Sequence, residues 1–157
     1  MARLLALDIG DRRIGVAISD ESQMLARPLT TIARASKRED FESIAKLIAA
    51  HGVERLIVGL PRTLRGDEGP QAARVRRYAE ALSAAIDAPI VFQDERYTSL
   101  EAEERLAASP RLLSGARRTI APEAKRSGGR KSAAQGVDAA AAAIILQDYL
   151  DQRRDKS

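Results

Sequence analysis

The apolar residues of this chain follow two spacings, short continuous runs and a repeat of three to four residues. Continuous runs occupy positions 4–7, 14–18, 56–61 and 88–93, and such runs are typical of strands buried within a sheet. A fifth run, at 26–32, contains Pro28 and is predicted to lie at a sheet edge, because proline cannot donate to a neighbouring strand. The first two runs are separated by a short glycine-containing turn, which favours a hairpin.

Four helices are predicted between and after these strands. Ser36 to Glu39 fits a capping box, and the helix that it starts should end at His51-Gly52. A second helix begins at Pro70, and a third runs from Thr98 to about residue 108. The last helix is predicted over 136–149.

The order of elements is therefore three strands, helix, strand, helix, strand, helix, loop and helix. This order predicts an α/β fold with a mixed five-stranded sheet, in which an antiparallel three-strand meander is followed by alternating helix and strand and is flanked by helices. We expect residues 1–150 to form a single domain with a flexible basic loop at about 109–135, and residues 151–157 to form a short polar tail.

Three acidic residues stand at informative places in this order. Asp8 follows the first apolar run, Glu95 follows the run at 88–93, and Asp138 falls on the apolar face of the last helix. Because ligands collect at the carboxyl ends of parallel strands, we expect these side chains to converge. A turn-capping role for Asp8 and a helix-dipole role for Asp138 are the local alternatives.

Converging carboxylates repel one another unless a cation lies between them, and oxygen ligands favour Mg²⁺ or Mn²⁺. Two such ions can activate water and stabilise the leaving oxygen in phosphodiester hydrolysis. The sequence therefore favours Asp8, Glu95 and Asp138 as both the metal ligands and the catalytic residues of a nuclease.

Composition removes several other chemistries. The chain has no cysteine and a single histidine, His51, which excludes thiolate zinc, a cysteine nucleophile and a multi-histidine site. Aromatic residues make up 3% of the chain, which disfavours stacking of bases on aromatic side chains. No signal-peptide pattern is visible, and the longest apolar run, 139–146, is too short to span a membrane. We expect a cytoplasmic protein without a membrane partner.

Positive charge is concentrated in one segment. The net charge is +4, yet residues 111–131 contain seven Arg or Lys residues against one Glu. Such a segment indicates a polyanionic partner, namely nucleic acid. The candidate nucleic-acid-binding residues are Arg62, Arg65, Arg96, Arg117, Arg118, Lys125, Arg126, Arg130 and Lys131. Arg96 could instead form a salt bridge with Glu95, and the run Arg74, Arg76 and Arg77 is interpreted as a solvated helix face.

Several motifs together resemble the YqgF (RuvX) family, and the likeness covers nearly the whole chain. The segments that carry it are Leu7-Asp8-Ile9-Gly10, Arg13-Ile14-Gly15-Val16-Ala17, Ser19-Asp20, Val58-Gly59-Leu60-Pro61, Gly66-Asp67-Glu68-Gly69-Pro70-Gln71, Asp94-Glu95-Arg96 and Asp138-Ala139-Ala140-Ala141. The resemblance implies a ribonuclease H-like fold related to the RuvC resolvases, a cytoplasmic location and a nuclease that processes the 5′ end of pre-16S rRNA. The acidic positions of the family fall on Asp8, Glu95 and Asp138.

Two features depart from related enzymes. Many ribonuclease H-like enzymes have an acid at the end of the fourth strand, where this chain has Gly59-Leu60-Pro61. Glu95 would then have to serve from the next strand. The loop at 109–135 is also longer than expected for the family.

Other functions remain as alternatives to rRNA processing. The chain could be a Holliday junction resolvase acting on branched DNA, or a nucleic-acid-binding module without catalysis. A junction resolvase would require a twofold homodimer, whereas an RNA-trimming enzyme would not. An actin-like ATPase or sugar kinase is disfavoured, because that class closes two lobes on its nucleotide and 157 residues supply one.

Overall fold

The computed structural model describes residues 2–63, 65–95 and 129–156, with the backbone alone for 129–135. Its strands are β1 (Arg3–Ile9), β2 (Arg13–Ser19), β3 (Ala26–Ala33), β4 (Val53–Pro61) and β5 (Ile90–Glu95). Its helices are α1 (Lys37–His51), α2 (Pro70–Ala85) and α3 (Gly129–Asp155).

The described strands form one mixed sheet in the order β3-β2-β1-β4-β5. β1, β2 and β3 make an antiparallel meander, and β4 and β5 run parallel to β1. β3 is an edge strand, as its Pro28 predicts, and its register with β2 shifts between Val16 and Ala17. The predicted mixed five-stranded sheet is confirmed.

Local sequence accounts for both ends of α1. The Ser36 hydroxyl accepts a hydrogen bond of 3.1 Å from the backbone N–H of Glu39, which satisfies one of the free amides of the first turn. Gly52 adopts the left-handed conformation with φ of 62° and donates its N–H to the Ile48 carbonyl. Both predicted ends of this helix are confirmed.

Helices cover both faces of the sheet. Residues of α1 and α2 pack with Leu5 and Leu7 of β1, whereas residues of α3 pack with Leu4 and Ala6. Because side chains alternate along a strand, Asp8 belongs to the α3 face. The last residue of β1, Ile9, belongs to the opposite face.

The last helix is longer than its sequence pattern predicts. α3 begins at Gly129 rather than at 136 and continues to Asp155 rather than ending at 149. The predicted loop and polar tail are thus corrected over 129–135 and 151–155. Residues 130–135 are mostly good helix formers without proline, and Asp151 pairs with Arg154 one turn later.

The remaining differences concern the segment around β5. The strand begins and ends two residues later than the apolar run at 88–93. Asp94 and Glu95 are therefore its last residues instead of following it. The helix predicted at 98–108 and the loop residues 109–128 lie outside the described residues.

No helix in the described ranges combines the length and the apolar character needed to cross a bilayer.

Candidate active site

Asp8 lies at the carboxyl end of β1, on the face covered by α3. Its direct partner across the antiparallel ladder is Gly15 of β2. β4 flanks β1 on the other side, where Leu7 pairs with Val58 immediately before Gly59. The space on both sides of the Asp8 side chain is therefore bounded by glycine.

Glu95 approaches Asp8 across β4. It is the last residue of β5 and lies on the same face as Val91, which packs against the α3 side of the core. A Cβ atom built on Gly59 would lie 3.3 Å from Oε2 of Glu95. The Glu95 carboxylate thus occupies the space above Gly59, in the strand that separates β5 from β1.

Asp138 is brought to the same end of β1 by close packing of α3 on β2. A Cβ atom built on Gly15 would lie 1.9 Å from the carbonyl oxygen of Asp138 and 3.0 Å from the amide nitrogen of Ala139. No side chain larger than hydrogen fits between these backbones. Since Gly15 is the ladder partner of Asp8, this contact places Asp138 beside Asp8.

Asp8 interacts electrostatically with both of the other carboxylates. Burial raises the pKa of the Asp8 carboxyl to about 6, and the charge of Asp138 adds to this effect. Burial raises the pKa of the Glu95 carboxyl to about 8, with further contributions from Asp8 and from Asp148 of α3. The charge repulsion therefore links Asp8 with Asp138 on one side and with Glu95 on the other.

Asp138 differs from the other two acids in having a cationic partner. Its Oδ2 atom accepts a hydrogen bond of 2.7 Å from Nε of Arg13, and both side chains are partly exposed. Arg13 reaches this acid because α3 packs over β2, the strand that Arg13 begins. Within the described residues, no three acidic or histidine side chains form a group that could hold one metal ion.

The donor chemistry of Asp8 and Glu95 nevertheless fits a divalent cation. Both groups are oxygen donors, and both carry raised pKa values caused by burial and by neighbouring negative charge. A hard cation would relieve both effects, because it replaces lost hydration and compensates the charge. Asp138 is near enough to influence Asp8, although its carboxylate is paired with Arg13.

The predicted nucleic-acid-binding residues have different surroundings. Arg62 forms ion pairs with acids of the same chain: its Nη2 atom lies 2.8 Å from Oδ1 of Asp94, and its Nη1 atom lies 3.6 Å from Oε1 of Glu68. Arg65 is exposed. Arg130 and Lys131 belong to the first turns of α3. Arg96, Arg117, Arg118, Lys125 and Arg126 lie outside the described residues.

Sequence reasoning missed the parts that bring the acids together, namely Gly15, Gly59 and Arg13. The glycines did carry a signal, because a glycine inside an apolar strand marks a close approach of another backbone or side chain. Arg13 and Asp138 are 125 residues apart in the sequence, so no local pattern predicts that they pair. Asp148, which adds to the negative field at Glu95, was also not selected.

The raised pKa values predict that stability falls with pH when no divalent cation is added. The ordinary carboxyl values are 3.8 for Asp8 and 4.5 for Glu95, against about 6 and about 8 in the folded chain. Between these values the folded state binds more protons than the unfolded state, so the free energy of unfolding decreases as pH rises. We expect a loss on the order of a few kcal/mol from pH 5 to pH 8.

Urea unfolding at pH 5 and pH 8 in the presence of EDTA measures this loss. The Asp8→Asn variant should show a smaller difference between the two pH values, because one of the two groups no longer ionises. The carboxyls of Asp20 and Glu68 have lowered pKa values. They ionise at more acidic pH, so they do not contribute to the difference in stability between pH 5 and pH 8. Equal stability of the unaltered chain at both pH values would contradict the prediction.

Solved structures with the same fold include two junction resolvases. RuvC of Thermus thermophilus in complex with a Holliday junction substrate matches with a TM-score of 0.55 and 15% identity, and the match covers 98% of this chain and 96% of that one. The fowlpox virus resolvase in complex with Holliday junction DNA matches with a TM-score of 0.54 and 8% identity, over 96% and 97% of the two chains. The predicted ribonuclease H-like fold is thereby confirmed.

Similarity in sequence is far higher to a group of bacterial proteins. A chain of Chloroflexus aggregans named "Putative pre-16S rRNA nuclease" is 44% identical over 154 residues, which cover 97% of this chain and 95% of that one. A chain of Thermoanaerobacter pseudethanolicus with the same name is 39% identical, over 98% and 99% of the two chains. The family model RuvX, described as Holliday junction resolvase, matches residues 2–152. The chain therefore belongs to the RuvX family of nucleases, as its motifs predict.

Proposed function

We propose that this chain is a divalent-metal-dependent nuclease that hydrolyses phosphodiester bonds of the 16S rRNA precursor at its 5′ end. The observation that carries the proposal is the partly buried acid pair of Asp8, near the carboxyl end of β1, and Glu95, at the end of β5, in a chain of this family. The names of the relatives at 39–46% identity support rRNA as the substrate. A cytoplasmic location follows from such a substrate.

Asp8 and Glu95 would hold the cation, Mg²⁺ or Mn²⁺, and Asp138, paired with Arg13, would add negative charge beside Asp8. When bound, the cation would polarise the scissile phosphate and lower the pKa of the attacking water. The chain itself contributes position and environment. Gly59 leaves room for the Glu95 carboxylate, and the partial burial of both acids reduces their hydration.

Arg13 has a separate role in this arrangement. Its hydrogen bond fixes the orientation of the Asp138 carboxylate, and its charge lowers the cost of placing a third acid beside Asp8. We infer that Arg13 is a positioning residue, which keeps Asp138 in place before a cation binds.

Cleavage of a Holliday junction is the second candidate activity. The description of the family model and the fold shared with RuvC favour it. It would require a twofold homodimer, because two strands must be cut in a symmetric junction.

Cleavage assays on a 16S rRNA precursor and on a four-way DNA junction, run side by side, test the proposal. We expect cleavage of the RNA in Mg²⁺ or Mn²⁺ and none in EDTA. Cleavage that persists in EDTA would contradict metal dependence, and cleavage of the junction alone would favour the resolvase. Binding of either nucleic acid without cleavage under any condition would identify a binding module instead.

A further inference from the structure

A second, basic cavity lies at the same end of β1 on the opposite face of the sheet. It has a volume of about 200 Å³ and opens between the β1–β2 turn, the start of α1 and the first turns of α2. Its lining includes four cations, Arg34, Lys37, Arg74 and Arg77, and one acid, Asp11. This volume is below the roughly 300 Å³ at which small-molecule sites begin, so the cavity suits a single charged group.

Three of these cations have no ionic partner in the described part of the chain. No described carboxylate lies within 4.0 Å of the charged atoms of Lys37, Arg74 or Arg77. Arg76, between the two arginines, behaves differently: it pairs with Glu68 and lies 4.9 Å above the ring of Phe92. The arginine run interpreted as one solvated face therefore has two kinds of surroundings. Arg76 pairs with Glu68, whereas Arg74 and Arg77 line the basic cavity.

Arg34 is held in place by a buried network. Its Nη1 atom donates a hydrogen bond of 2.8 Å to the Gly10 carbonyl, and its guanidinium lies 4.7 Å above the Tyr78 ring. Its Nε atom lies 3.8 Å from Oδ2 of Asp40, which is 2% exposed. A carboxylate buried this deeply requires partners, so the network fixes a guanidinium at the cavity.

Asp40 has further partners that complete this network. It accepts hydrogen bonds of 3.0 Å from the Tyr78 hydroxyl and from the backbone N–H of Ala35. None of these contacts touches Asp8, Glu95 or Asp138, and the hydrolytic mechanism does not use them. A rigid guanidinium beside three cations that have no ionic partner among the described residues is an arrangement that recognises phosphate.

We propose that this cavity binds a backbone phosphate of the nucleic acid whose scissile bond lies at Asp8. The proposal rests on the proposed function and extends the surface that binds the nucleic-acid substrate. Gly10, which Arg34 contacts, is two residues after Asp8. A nucleic-acid strand that crosses this end of β1 would therefore contact both the basic cavity and Asp8. Such a contact would contribute affinity and register without reading base sequence.

The charge on the other side of the active site supports this path. The cleft between β5 and the end of α3 is lined by four aspartates and no described cation; Asp94 pairs with Arg62 and Asp151 with Arg154, and the other two are Asp148 and Asp155. A polyanion is repelled from such a surface and drawn towards the basic one. Among the described surfaces flanking the acid pair, the cavity beside α2 is therefore the favourable side for a phosphate backbone.

The double variant Arg74→Ala/Arg77→Ala tests this proposal, with Arg27→Ala/Lys46→Ala as the matched control. The control removes the same charge from exposed residues that do not line the cavity. Binding of labelled 16S precursor RNA and of a four-way DNA junction is measured by anisotropy in EDTA over a range of salt concentrations. The cavity variant should bind about tenfold more weakly, and its slope of log K against log salt should be smaller by about 1.5.

The control variant should bind within about twofold of the unaltered chain. Equal losses in the two double variants, or no loss in the cavity variant, would overturn the proposal. The proposal would also be overturned if the unaltered chain bound neither nucleic acid.

Cleavage measurements separate this proposal from the proposed function. In Mg²⁺ the cavity variant should have a raised KM and an unchanged kcat, because the contact is made equally in ground state and transition state. If no variant cleaves but the cavity variant alone loses binding, the nuclease proposal fails and the phosphate site stands. If the cavity variant binds and cleaves like the unaltered chain, the phosphate site fails and the nuclease stands.

Discussion

Replacing Asp8 with asparagine should lower the rate of nucleic-acid cleavage by a factor of roughly 10³ or more, while the protein remains folded and still binds its substrate. The substitution keeps the shape of the side chain but removes the charge needed to hold a cation beside Glu95. Single-turnover cleavage of the 16S precursor RNA in Mg²⁺ and in Mn²⁺ measures the loss.

The same variant should be more stable than the unaltered chain at pH 8 in EDTA. Asp8 lies in the field of Asp138 and itself raises the pKa of the Glu95 carboxyl, so neutralising it removes two repulsive interactions. Loss of activity together with a gain in stability is expected when a site keeps unfavourable charges for function. A structural role for Asp8 would give the opposite sign of the stability change.

Asp87→Asn is the control for this experiment, because Asp87 is exposed in the turn between α2 and β5. It should cleave and unfold like the unaltered chain. Retention of more than about a tenth of the activity by Asp8→Asn would contradict a direct role in catalysis, since loss of a metal ligand costs far more.

Replacing Gly15 with alanine should destabilise the protein by about 3 kcal/mol or more, at the upper end of overpacking effects. The added methyl group would lie 1.9 Å from the Asp138 carbonyl oxygen, and this atom belongs to the backbone of α3, which cannot rotate away. The helix must move outward, and Asp138 moves with it. Urea unfolding measures the stability, and the cleavage assay measures the consequence for the site.

Two other glycines provide matched comparisons if Gly15→Ala does not fold. Gly59→Ala meets the side-chain end of Ile145 at 2.5 Å, which can shift, so its cost should be smaller. Gly136→Ala, within α3, meets nothing within 4 Å and should stabilise the helix by about 0.5–1 kcal/mol. The same stability for Gly15→Ala as for the unaltered chain would show that α3 does not pack against β2 in this way.

The elements of this fold were predictable wherever a local rule specifies them. Ser36 and Gly52 are chemically suited to start and end a helix, and both do so. Pro28 cannot sit in the middle of a sheet, and it lies on edge strand β3. The extent of α3 was underestimated, because its first and last turns are charged or small residues whose helical state does not depend on an apolar repeat.

The acids of the candidate site could be proposed from the sequence, whereas the residues around them could not. Asp8 and Glu95 could be chosen because each ends an apolar run, and the ends of parallel strands share an edge. That Asp138 pairs with Arg13, and that Gly59 makes room for Glu95, depends on which strands become neighbours. Sheet order is a property of the whole chain, so these contacts have no local signature.

The sequence by itself determined the periodicities, caps and motifs of this protein, and with them its family and its acidic residues. These properties depend on residues close together in the chain, where spacing alone decides the outcome. Only the tertiary structure decided which charges meet. Arg76 pairs with Glu68 at the protein surface, whereas the nearby Arg74 lines a cavity, because α2 presents them to different neighbours when it packs on the sheet.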